Sequence, residues 1–286
     1  MNEKYKKICE VVKADLERVN KNIFLSSELK PELEKELDKF LNAPSKRIRS
    51  LVTILFLRAS KLYLLPAHYE LLAAVELIHN ASLIHDDVID KSELRRGCKT
   101  LNCKFDNQIA VVSGDYLLGL ALKKLVKIGS LPVLDIFADT VKIMCTGEVN
   151  QYFNKFKKIT IEEYVEKSCQ KTGALFECAL KSSIILAGSD VDDKAIEFAS
   201  DFGLAFQIKD DLSNIMNNDT SKASNDIEKG IYNAPIILSD NLKDGIEKTK
   251  DLLNNYVNCA KQCINDLDES IYKASLIELL ELLEDV

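Results

Sequence analysis

The sequence predicts an all-α protein, with residues 1–286 forming a single domain of about ten helices. Three observations support this class. Glycine and proline number only 10 and 5 in 286 residues, and a β-sandwich or barrel of this length needs many more of them in its turns. Apolar residues recur at intervals of three and four along most of the chain. Hydrophobic residues are 47% and charged residues 29% of the total, which is typical of a globular protein and excludes a disordered one.

The predicted helices follow one another with short breaks. They cover residues 3–24, 29–42, 47–64, 69–90, 109–128, 131–156, 161–186 and 193–216. Thr160 and Glu163 form a capping box at the start of one of them. Residues 97–108 and 217–225 are predicted loops, and the chain after Pro235 is amphipathic and helical. No segment has the alternating pattern of a strand, and no linker rich in Pro, Gly or Ser divides the chain.

Charge and cysteine content restrict the function further. The net charge of −7 argues against nonspecific binding of nucleic acid. The first ten residues lack the apolar stretch of a signal peptide, and apolar runs such as residues 54–57 are far shorter than the roughly 18 residues of a membrane span. Eight cysteines and three histidines show no CxxC pair and no zinc-ligand spacing. We therefore expect free, buried thiols and a cytoplasmic protein.

An aspartate cluster, Asp86-Asp87-Val88-Ile89-Asp90, ends the helix over residues 69–90. Helical geometry puts Asp86 and Asp90 on one face with Asp87 beside them, and His79 lies two turns earlier near the same line. Like charges at the C-terminal end of a helix destabilise it unless a cation offsets them. An exposed, solvated acidic helix end is the alternative interpretation, and this motif alone is weak evidence.

A second cluster strengthens the interpretation. Gln207-Ile208-Lys209-Asp210-Asp211-Leu212-Ser213-Asn214 repeats the pattern after another apolar helix. When the two helix ends are overlaid, Ile84, Asp86 and Asp87 coincide with Ile208, Asp210 and Asp211. Carboxylate oxygens from two facing helices are ligands that Mg²⁺ accepts, with water and phosphate completing its coordination. The two clusters predict a Mg²⁺-dependent diphosphate site.

Three groups of basic residues fit a diphosphate. They are Lys46-Arg47-Ile48-Arg49 at the start of a helix, Arg95-Arg96 after the first aspartates, and Lys171-Thr172 inside a helix. Each group alone is more typical of solvated surface charge. Guanidinium groups match phosphate oxygens in bidentate fashion, and a helix start already favours an anion.

In order and spacing, these motifs resemble those of the trans-isoprenyl diphosphate synthases (the polyprenyl synthetases) from Lys46 to Pro235. The first family motif resembles Asp86–Asp90 followed by Arg95-Arg96-Gly97, and the second resembles residues 206–211; Gly114-Asp115 agrees as well. The resemblance implies a helical bundle around a central cleft, a homodimer, and transient membrane contact during product release.

The resemblance also implies a role for each site residue. Isopentenyl diphosphate would be bound by Lys46, Arg49, His79 and Arg96. The allylic diphosphate would be bound by Arg95, Lys171, Thr172, Gln207 and Lys222. The main Mg²⁺ ligands would be Asp86, Asp90 and Asp210, supported by Asp87 and Asp211, and with Lys171 the three main ligands would be the catalytic residues. The implied reaction ionises the allylic diphosphate, adds the allyl cation to the double bond of isopentenyl diphosphate and loses a proton, with no protein nucleophile.

The sequence departs from the family pattern at several positions. Asn214 stands where a third aspartate is usual, Pro44-Ser45 replaces a Gly-Gly pair, Ser50 replaces a proline, and Gly230-Ile231 replaces Gly-Lys. These changes keep open a weakly catalytic subunit of a hetero-oligomeric prenyl synthase. A terpene cyclase is disfavoured because its N-x-x-x-S-x-x-x-E motif has no match: the nearest candidate, Asn217 and Ser221, ends in Asn225.

Small residues before the first aspartates bear on product length. Ala81 and Ser82 lie one turn before Asp86. The family resemblance implies that bulky aromatic side chains at these positions block the cavity and stop chain growth at short products. Nothing blocks growth at this level, so we expect a medium- or long-chain product. A short-chain synthase (geranylgeranyl or farnesyl) is the alternative. We expect His85 and the Cys259–Cys263 pair to pack, and His68 to lie in a loop.

Overall fold

The structure is a computed structural model that describes residues 3–23, 28–216, 230 and 232–285. The described helices are α1 Glu3–Val11, α2 Lys13–Asn22, α3 Pro31–Asn42, α4 Ile48–Ala59, α5 Pro66–Ile89, α6 Leu101–Lys104, α7 Asn107–Ile128, α8 Leu131–Phe153, α9 Ile161–Ser168, α10 Ala174–Leu186, α11 Asp193–Met216, α12 Ala234–Leu238, α13 Leu242–Cys263 and α14 Ile271–Glu284. A π-helical segment, Cys169–Gly173, joins α9 to α10, and β1 Leu94–Arg95 pairs with β2 Cys98–Lys99. The all-α prediction is confirmed.

Local sequence explains where the helices begin. Pro31, Pro66 and Pro235 occupy first turns, where a proline lacks only an N–H that the helix does not use. The predicted capping box is present: the Thr160 amide donates to the Glu163 carboxylate at 2.8 Å, and the Glu163 amide donates to the Thr160 hydroxyl at 3.2 Å.

The site is positioned by α5 and α11. Helix α5 packs against α2, α4, α7 and α10, and α11 packs against α10, α13 and the π-helical segment. Buried apolar side chains from Tyr5 to Leu283 form one connected core. Both helices are apolar for most of their length, and residues in their C-terminal halves line the same cavity.

Several elements differ from the sequence prediction, and the helix predicted over residues 47–64 ends at Ala59. The helix predicted over residues 3–24 is interrupted at Val12, whose ψ of 25° is not helical. A hairpin and a short helix occupy part of the predicted loop 97–108, because strands of two residues are too short to show a periodic pattern. The helix predicted over residues 161–186 contains the π-helical segment, which an apolar periodicity does not reveal.

His68 is not in a loop but is fully buried in the first turn of α5. Its Nδ1 accepts the Leu65 amide at 2.9 Å, and Nε2 lies 3.0 Å from the Ser183 carbonyl, to which it donates in the tautomer that this arrangement requires. Pro66 begins the helix, so the boundary lies three residues before the predicted one.

The cysteines are free, as predicted, but their expected burial is wrong for most of them. Cys178 is buried, whereas Cys98, Cys103, Cys145 and Cys259 are exposed. Cys9, Cys169 and Cys263 are half-buried and pack against the core, so of the Cys259–Cys263 pair Cys263 packs as expected and Cys259 does not. Among the described helices, none combines the length and the apolar character needed to cross a bilayer.

Candidate active site

A cavity of about 920 Å³ lies between the C-terminal halves of α5 and α11, helix α8, the π-helical segment and the loop before α4. Of the predicted site residues, those that line it are Lys46, Arg49, His79, Asp86, Arg95, Arg96, Lys171, Thr172, Gln207 and Asp210. Its apolar wall includes Ile78, Ala81, Leu118, Val141, Met144 and Phe206. Lys222 and Ile231 lie outside the described residues. The sequence motifs thus meet around one space with a polar and an apolar part.

The first aspartate cluster is more buried than the sequence suggested. Asp87 is 3% exposed, and its Oδ1 accepts two bonds from the Arg95 guanidinium, at 2.8 and 2.7 Å. Asp86 faces the cavity, and burial raises its pKa to about 6. Lys171 opposes that increase, while the carboxylates of Glu148 and Asp90 add to it. The alternative interpretation, an exposed and solvated acidic helix end, is therefore wrong.

A tight hairpin brings both arginines to this turn. β1 and β2 are antiparallel, with Arg95 opposite Cys98. The two residues between the strands, Arg96 and Gly97, have φ of 51° and 76°. Left-handed backbone at both central positions is typical of a type I′ turn, whose twist suits a two-residue hairpin. The turn allows the Arg95 side chain to donate to Asp87, while Arg96 at the hairpin tip lines the cavity.

In the second cluster, too, one aspartate is buried and accepts hydrogen bonds from the protein, but from different donors. Asp211 is 8% exposed and accepts the Tyr164 hydroxyl at 2.7 Å and the Gln207 amide at 2.9 Å. The Gln207 carbonyl in turn accepts the Thr172 hydroxyl at 2.7 Å. Burial raises the pKa of Asp211 to about 6, and the bonds from Tyr164 and Gln207 oppose that increase. Asp210 is exposed to the cavity, and the Asn214 amide lies 3.4 Å from it.

The two aspartate pairs are equivalent in the way that the sequence overlay indicated, although the first ends α5 and the second is followed by further helix up to Met216. In each, the first aspartate of the pair lines the cavity, and the second is buried and held by protein donors. The isoleucines two positions before them, Ile84 and Ile208, are 1% and 0% exposed. Each apolar helix is thereby anchored in the core up to the residue that faces the cavity.

Lys171 is presented by the π-helical segment, which packs closely against α8 and α11. A Cβ atom on Gly203 would lie 2.8 Å from the Gly173 Cα, and one on Gly147 would lie 3.0 Å from the Gln170 Cβ. The Lys171 ammonium lies 2.6 Å from Glu148 Oε2. Burial lowers the pKa of Lys171, but the carboxylates of Asp86 and Glu148 outweigh it, so that the pKa is raised.

Arg49 is a buried cation in the wall of the same cavity. It is 7% exposed, its guanidinium lies 4.9 Å from the centre of the Phe176 ring, and burial lowers its pKa to about 10. Among the described residues, its buried Nε has no hydrogen-bond partner. The pKa of His79 is lowered well below the usual value by burial and then by Arg49, Arg96, Arg47 and Arg95.

A buried carboxylate supports the loop that carries Lys46. Glu76 is 3% exposed and accepts the Ser50 hydroxyl at 2.7 Å and Arg47 at 3.4 Å. Arg47 has a left-handed backbone, with φ of 46°, and also donates to the Leu41 carbonyl at 2.7 Å. The Tyr5 hydroxyl donates to the Lys46 carbonyl. Ser50, one of the departures from the family pattern, is therefore a hydrogen-bond donor within this support.

The sequence interpretation missed three of these residues: Glu76, Glu148 and Tyr164. Glu76 is the only Asp, Glu, Lys or Arg between Glu70 and Asp86, and Glu148 is the only one between Lys142 and Lys155. A lone acid in an apolar helix was the available signal, because a buried charge needs a partner. Tyr164 carried no such signal.

His85 packs against α7, as the sequence indicated. Its Nε2 lies 3.2 Å from the Val111 carbonyl and 3.3 Å from the Asp115 carboxylate. A Cβ atom on Gly114 would lie only 2.3 Å from this nitrogen. Gly114 is therefore required for the close approach of α5 and α7 at this level.

The carboxylates fit a metal ion that is only partly coordinated by protein. Within the described part of the chain, no group of three or more His, Cys, Asp or Glu side chains is arranged to hold a metal by itself. Mg²⁺ usually keeps several waters and is bound by one or two carboxylates together with substrate phosphates. Asp86 and Asp210 at the cavity wall suit that mode, and an added cation would offset the charge repulsion around Asp86.

Two acidic helix ends that face a cation-lined cavity, inside an all-α bundle, define an isoprenoid synthase type of protein. The polyprenyl synthetase family matches residues 30–274. The chain is 31% identical to a prenyl transferase of Synechocystis sp., over 88% of both chains, and 36% identical to octaprenyl diphosphate synthase of Escherichia coli, over 72% of this chain and 65% of that one. A decaprenyl diphosphate synthase from Rhodobacter capsulatus has a similar structure, with a TM-score of 0.87, 25% identity and 98% of both chains covered.

The chain therefore belongs to the polyprenyl synthetase family, and it is an enzyme of the trans-prenyltransferase class. The resemblance stated from the motifs is confirmed over a longer segment than the motifs themselves occupy.

Proposed function

We propose that this enzyme condenses an allylic diphosphate with isopentenyl diphosphate, head to tail and with Mg²⁺, to give a medium- or long-chain polyprenyl diphosphate. The observation that carries the proposal is the continuity of the cavity. Its polar end holds two aspartate-bearing helix ends and a group of cations, and its wall continues into apolar side chains. A diphosphate and a growing prenyl chain require these two surfaces in one space.

Isopentenyl diphosphate is assigned to the arginine side of the cavity, with Lys46, Arg49, His79 and Arg96 as its contacts. Three features support this assignment. Arg49 is buried with an unpaired Nε among the described residues, Arg96 lies at the tip of a two-residue turn, and neighbouring arginines lower the pKa values of Arg96 and His79. An anion bound between them would relieve that repulsion.

The allylic diphosphate is assigned to the other side, with Arg95, Lys171, Thr172, Gln207 and Lys222 as its contacts. Asp86, Asp90 and Asp210 are proposed as the Mg²⁺ ligands. Asp87 and Asp211 support them by position, since their oxygens already accept bonds from Arg95, Tyr164 and Gln207. Bound Mg²⁺ would neutralise charge on the leaving diphosphate.

In the proposed reaction the protein binds, orients and stabilises charge. Lys171 is placed to stabilise the diphosphate as it accumulates negative charge during C–O bond cleavage. Lys46, Arg49 and Arg96 hold the second substrate so that its double bond faces the allyl cation. The apolar wall excludes water, which would otherwise capture the cation. The proton lost afterwards goes to an oxygen of the released diphosphate.

Product length is proposed to exceed farnesyl because Ala81 and Ser82 line the cavity with small side chains. Each added isoprene unit buries five carbons, worth about 3–4 kcal/mol of apolar transfer. Growth is therefore favoured until the available volume is filled. The names of the octaprenyl and decaprenyl synthases that this chain is similar to support the same range.

Ala81→Phe should shorten the product by at least one isoprene unit, because the ring would fill the cavity one turn below Asp86. Mass spectrometry of the extracted products checks this. Leu83→Phe on the same helix is a suitable comparison, since Leu83 is already bulky. A C15 product from the wild-type enzyme would support the short-chain alternative and contradict the long-chain one.

Incubation of the purified chain alone with an allylic diphosphate, isopentenyl diphosphate and Mg²⁺ tests the whole proposal. A synthase elongates the substrate without help. A weakly catalytic subunit, the alternative raised by Asn214 and Ile231, would need a second chain. A terpene cyclase would release a hydrocarbon or alcohol and would not use isopentenyl diphosphate.

We also propose a homodimer formed through the outer face of α7. Ile109, Val112, Leu122 and Val126 recur on this helix at intervals typical of one face, and they are 37%, 62%, 44% and 66% exposed. Light scattering should give twice the monomer mass, and Val112→Lys together with Val126→Lys should give the monomer mass.

Eight free thiols favour a reducing compartment, which we take to be the cytoplasm. Transient membrane contact for product release follows from the proposed long apolar product.

A further inference from the structure

Glu148 belongs to none of the motifs that define the site, yet it lines the cavity. It lies on α8, one residue after Gly147, and its Oε2 is 2.6 Å from the Lys171 ammonium. Its other oxygen lies 3.4 Å from the Gln151 amide. Glu148 is thus the direct ionic partner of a lysine that the proposed reaction uses.

Lys171 has a second acidic neighbour, which is Asp86. Among the charges around Lys171, Asp86 and Glu148 have the two largest effects on its pKa, and Lys171 is in turn the largest charge effect on Asp86. Lys171, Asp86 and Glu148 all line the cavity, so the ammonium has two acidic neighbours there, one proposed as a Mg²⁺ ligand and one outside the proposed metal ligands. If Lys171 paired with Asp86, it would compete with a cation for that carboxylate.

The packing of α8 against the π-helical segment fixes this arrangement. Gly147 approaches Gln170 and the Lys171 backbone nitrogen so closely that an added Cβ would lie 3.0 Å and 3.5 Å from their atoms. Glu148 and Lys171 follow immediately in their own elements. The contact between them is therefore set by two backbones in contact, and not only by two flexible side chains.

We propose that Glu148 is a positioning residue that holds Lys171 away from Asp86, so that Asp86 stays available to the metal ion until the allylic diphosphate arrives. The proposal rests on the Mg²⁺ site of the proposed function. It explains why an acidic side chain lies in a cavity whose substrates are anions.

Glu148→Gln tests this in the full-length chain, because the amide keeps the size of the side chain and removes its charge. The first readout is binding of Mn²⁺, used as a paramagnetic probe for Mg²⁺ and measured by electron paramagnetic resonance without substrates. We expect the Mn²⁺ dissociation constant to increase about tenfold, the scale of coupling between charges in contact. In activity assays, the Mg²⁺ concentration for half-maximal rate should increase similarly, while the KM for isopentenyl diphosphate stays unchanged and saturating Mg²⁺ restores much of kcat.

A double mutant separates positioning from a general electrostatic effect. In a Lys171→Met background no ammonium competes for Asp86, so adding Glu148→Gln should weaken Mn²⁺ binding only about two- to threefold, the direct effect of removing one nearby carboxylate, and not tenfold. An equal loss of Mn²⁺ affinity with and without Lys171 would overturn the proposal, as would unchanged Mn²⁺ binding in Glu148→Gln alone. Glu148→Asp, which keeps the charge, should fall between wild type and Glu148→Gln.

Two controls distinguish failure of this proposal from failure of the metal site. Glu166→Gln is the matched substitution, because Glu166 contacts Gln170 at 3.0 Å and not Lys171; Mn²⁺ binding should be unchanged. Asp86→Ala should abolish tight Mn²⁺ binding. If it does not, the proposed metal site is wrong. If it does and Glu148→Gln has no effect, only the role of Glu148 is wrong.

Discussion

Around Arg49 the cavity wall brings several cationic side chains together, whereas around Lys171 several charged and polar groups are already paired within the protein. Burial and neighbouring arginines lower the pKa values of Arg96 and His79 on the first side. On the second side, Lys171 pairs with Glu148, and Thr172 is connected through Gln207 to Asp211. Glu76 is the carboxylate that lines the cavity on the first side, and it is occupied by Ser50 and Arg47.

The difference shows what each side still lacks. The arginine side carries unbalanced positive charge, so an anion completes it directly. The aspartate side carries carboxylates whose mutual repulsion a cation would relieve, and its substrate contacts are held ready by hydrogen bonds. An anion can therefore bind the first side without metal, but it needs a metal ion on the second. This contrast predicts that substitutions on the two sides affect different substrates.

The largest effect is expected for Asp86→Ala, which should lower kcat by about three orders of magnitude or more, since metal stabilisation of transition-state charge is worth several kcal/mol. The fold should persist because the Asp86 side chain faces the cavity, and circular dichroism checks this. Asp251→Ala, at an exposed position of α13, is the control. Activity like that of wild type in Asp86→Ala, or full activity in excess EDTA, would show that the second side does not need a metal.

Next in size is the difference between Arg96→Ala and Lys171→Ala. Arg96→Ala should mainly raise the KM for isopentenyl diphosphate, and Lys171→Ala should mainly impair use of the allylic substrate. A hydrogen bond to a charged group contributes about 1.5–3 kcal/mol, so losses of about ten- to a hundredfold are expected. Steady-state kinetics with each substrate varied in turn measures the difference. Equal effects of both variants on both substrates would remove the distinction between the sides.

The sequence pattern predicted the position of the cavity-facing aspartate of each pair better than that of the buried one. Helical geometry places Asp86 and Asp90 on one face, but it cannot show that Asp87 turns into the protein to meet Arg95. That contact depends on a hairpin whose strands have two residues each, below the length at which alternation is visible. The turn residues Arg96 and Gly97 were the available signal, but the sequence analysis did not interpret them as the turn of a hairpin.

The long helices were predictable because their apolar periodicity is sustained over many residues, as in Pro66–Ile89. Contacts between distant segments were not predictable. Glu148 and Lys171, for example, lie on different helical segments and come together because Gly147 packs closely against Gln170. The same holds for Tyr164 and Asp211. A single sequence gives periodicity and motif order, but these partner choices are decided by packing.

A smaller effect is expected for Asn214→Asp, which changes the acidic side alone. The Asn214 amide lies 3.4 Å from Asp210 and contributes no charge. A carboxylate there would add to the negative charge that attracts a cation, so the Mg²⁺ concentration for half-maximal rate should fall by about two- to threefold, with kcat kept or raised. Asn150→Asp, on α8 outside the set of cavity-lining residues, is the matched control. A strong loss of activity in Asn214→Asp would assign the asparagine a role of its own.

The smallest effect tests the arginine side without any substitution, through the titration of His79. Burial and four arginines hold its pKa well below that of an ordinary histidine, so it is neutral near pH 7 in the free protein. Inorganic diphosphate bound between those arginines would offset their charge and raise this pKa. A group whose pKa is higher in the complex takes up protons on binding, so diphosphate affinity should increase as the pH falls toward that higher pKa.

Histidine NMR signals, assigned with His68→Gln and His85→Gln variants, report the shift directly. The expected result is an upward shift for His79 with diphosphate in the absence of Mg²⁺, because this side needs no metal to bind an anion. A shift that requires Mg²⁺ would mean that the arginine side does not bind diphosphate independently and that the contrast between the two sides is wrong.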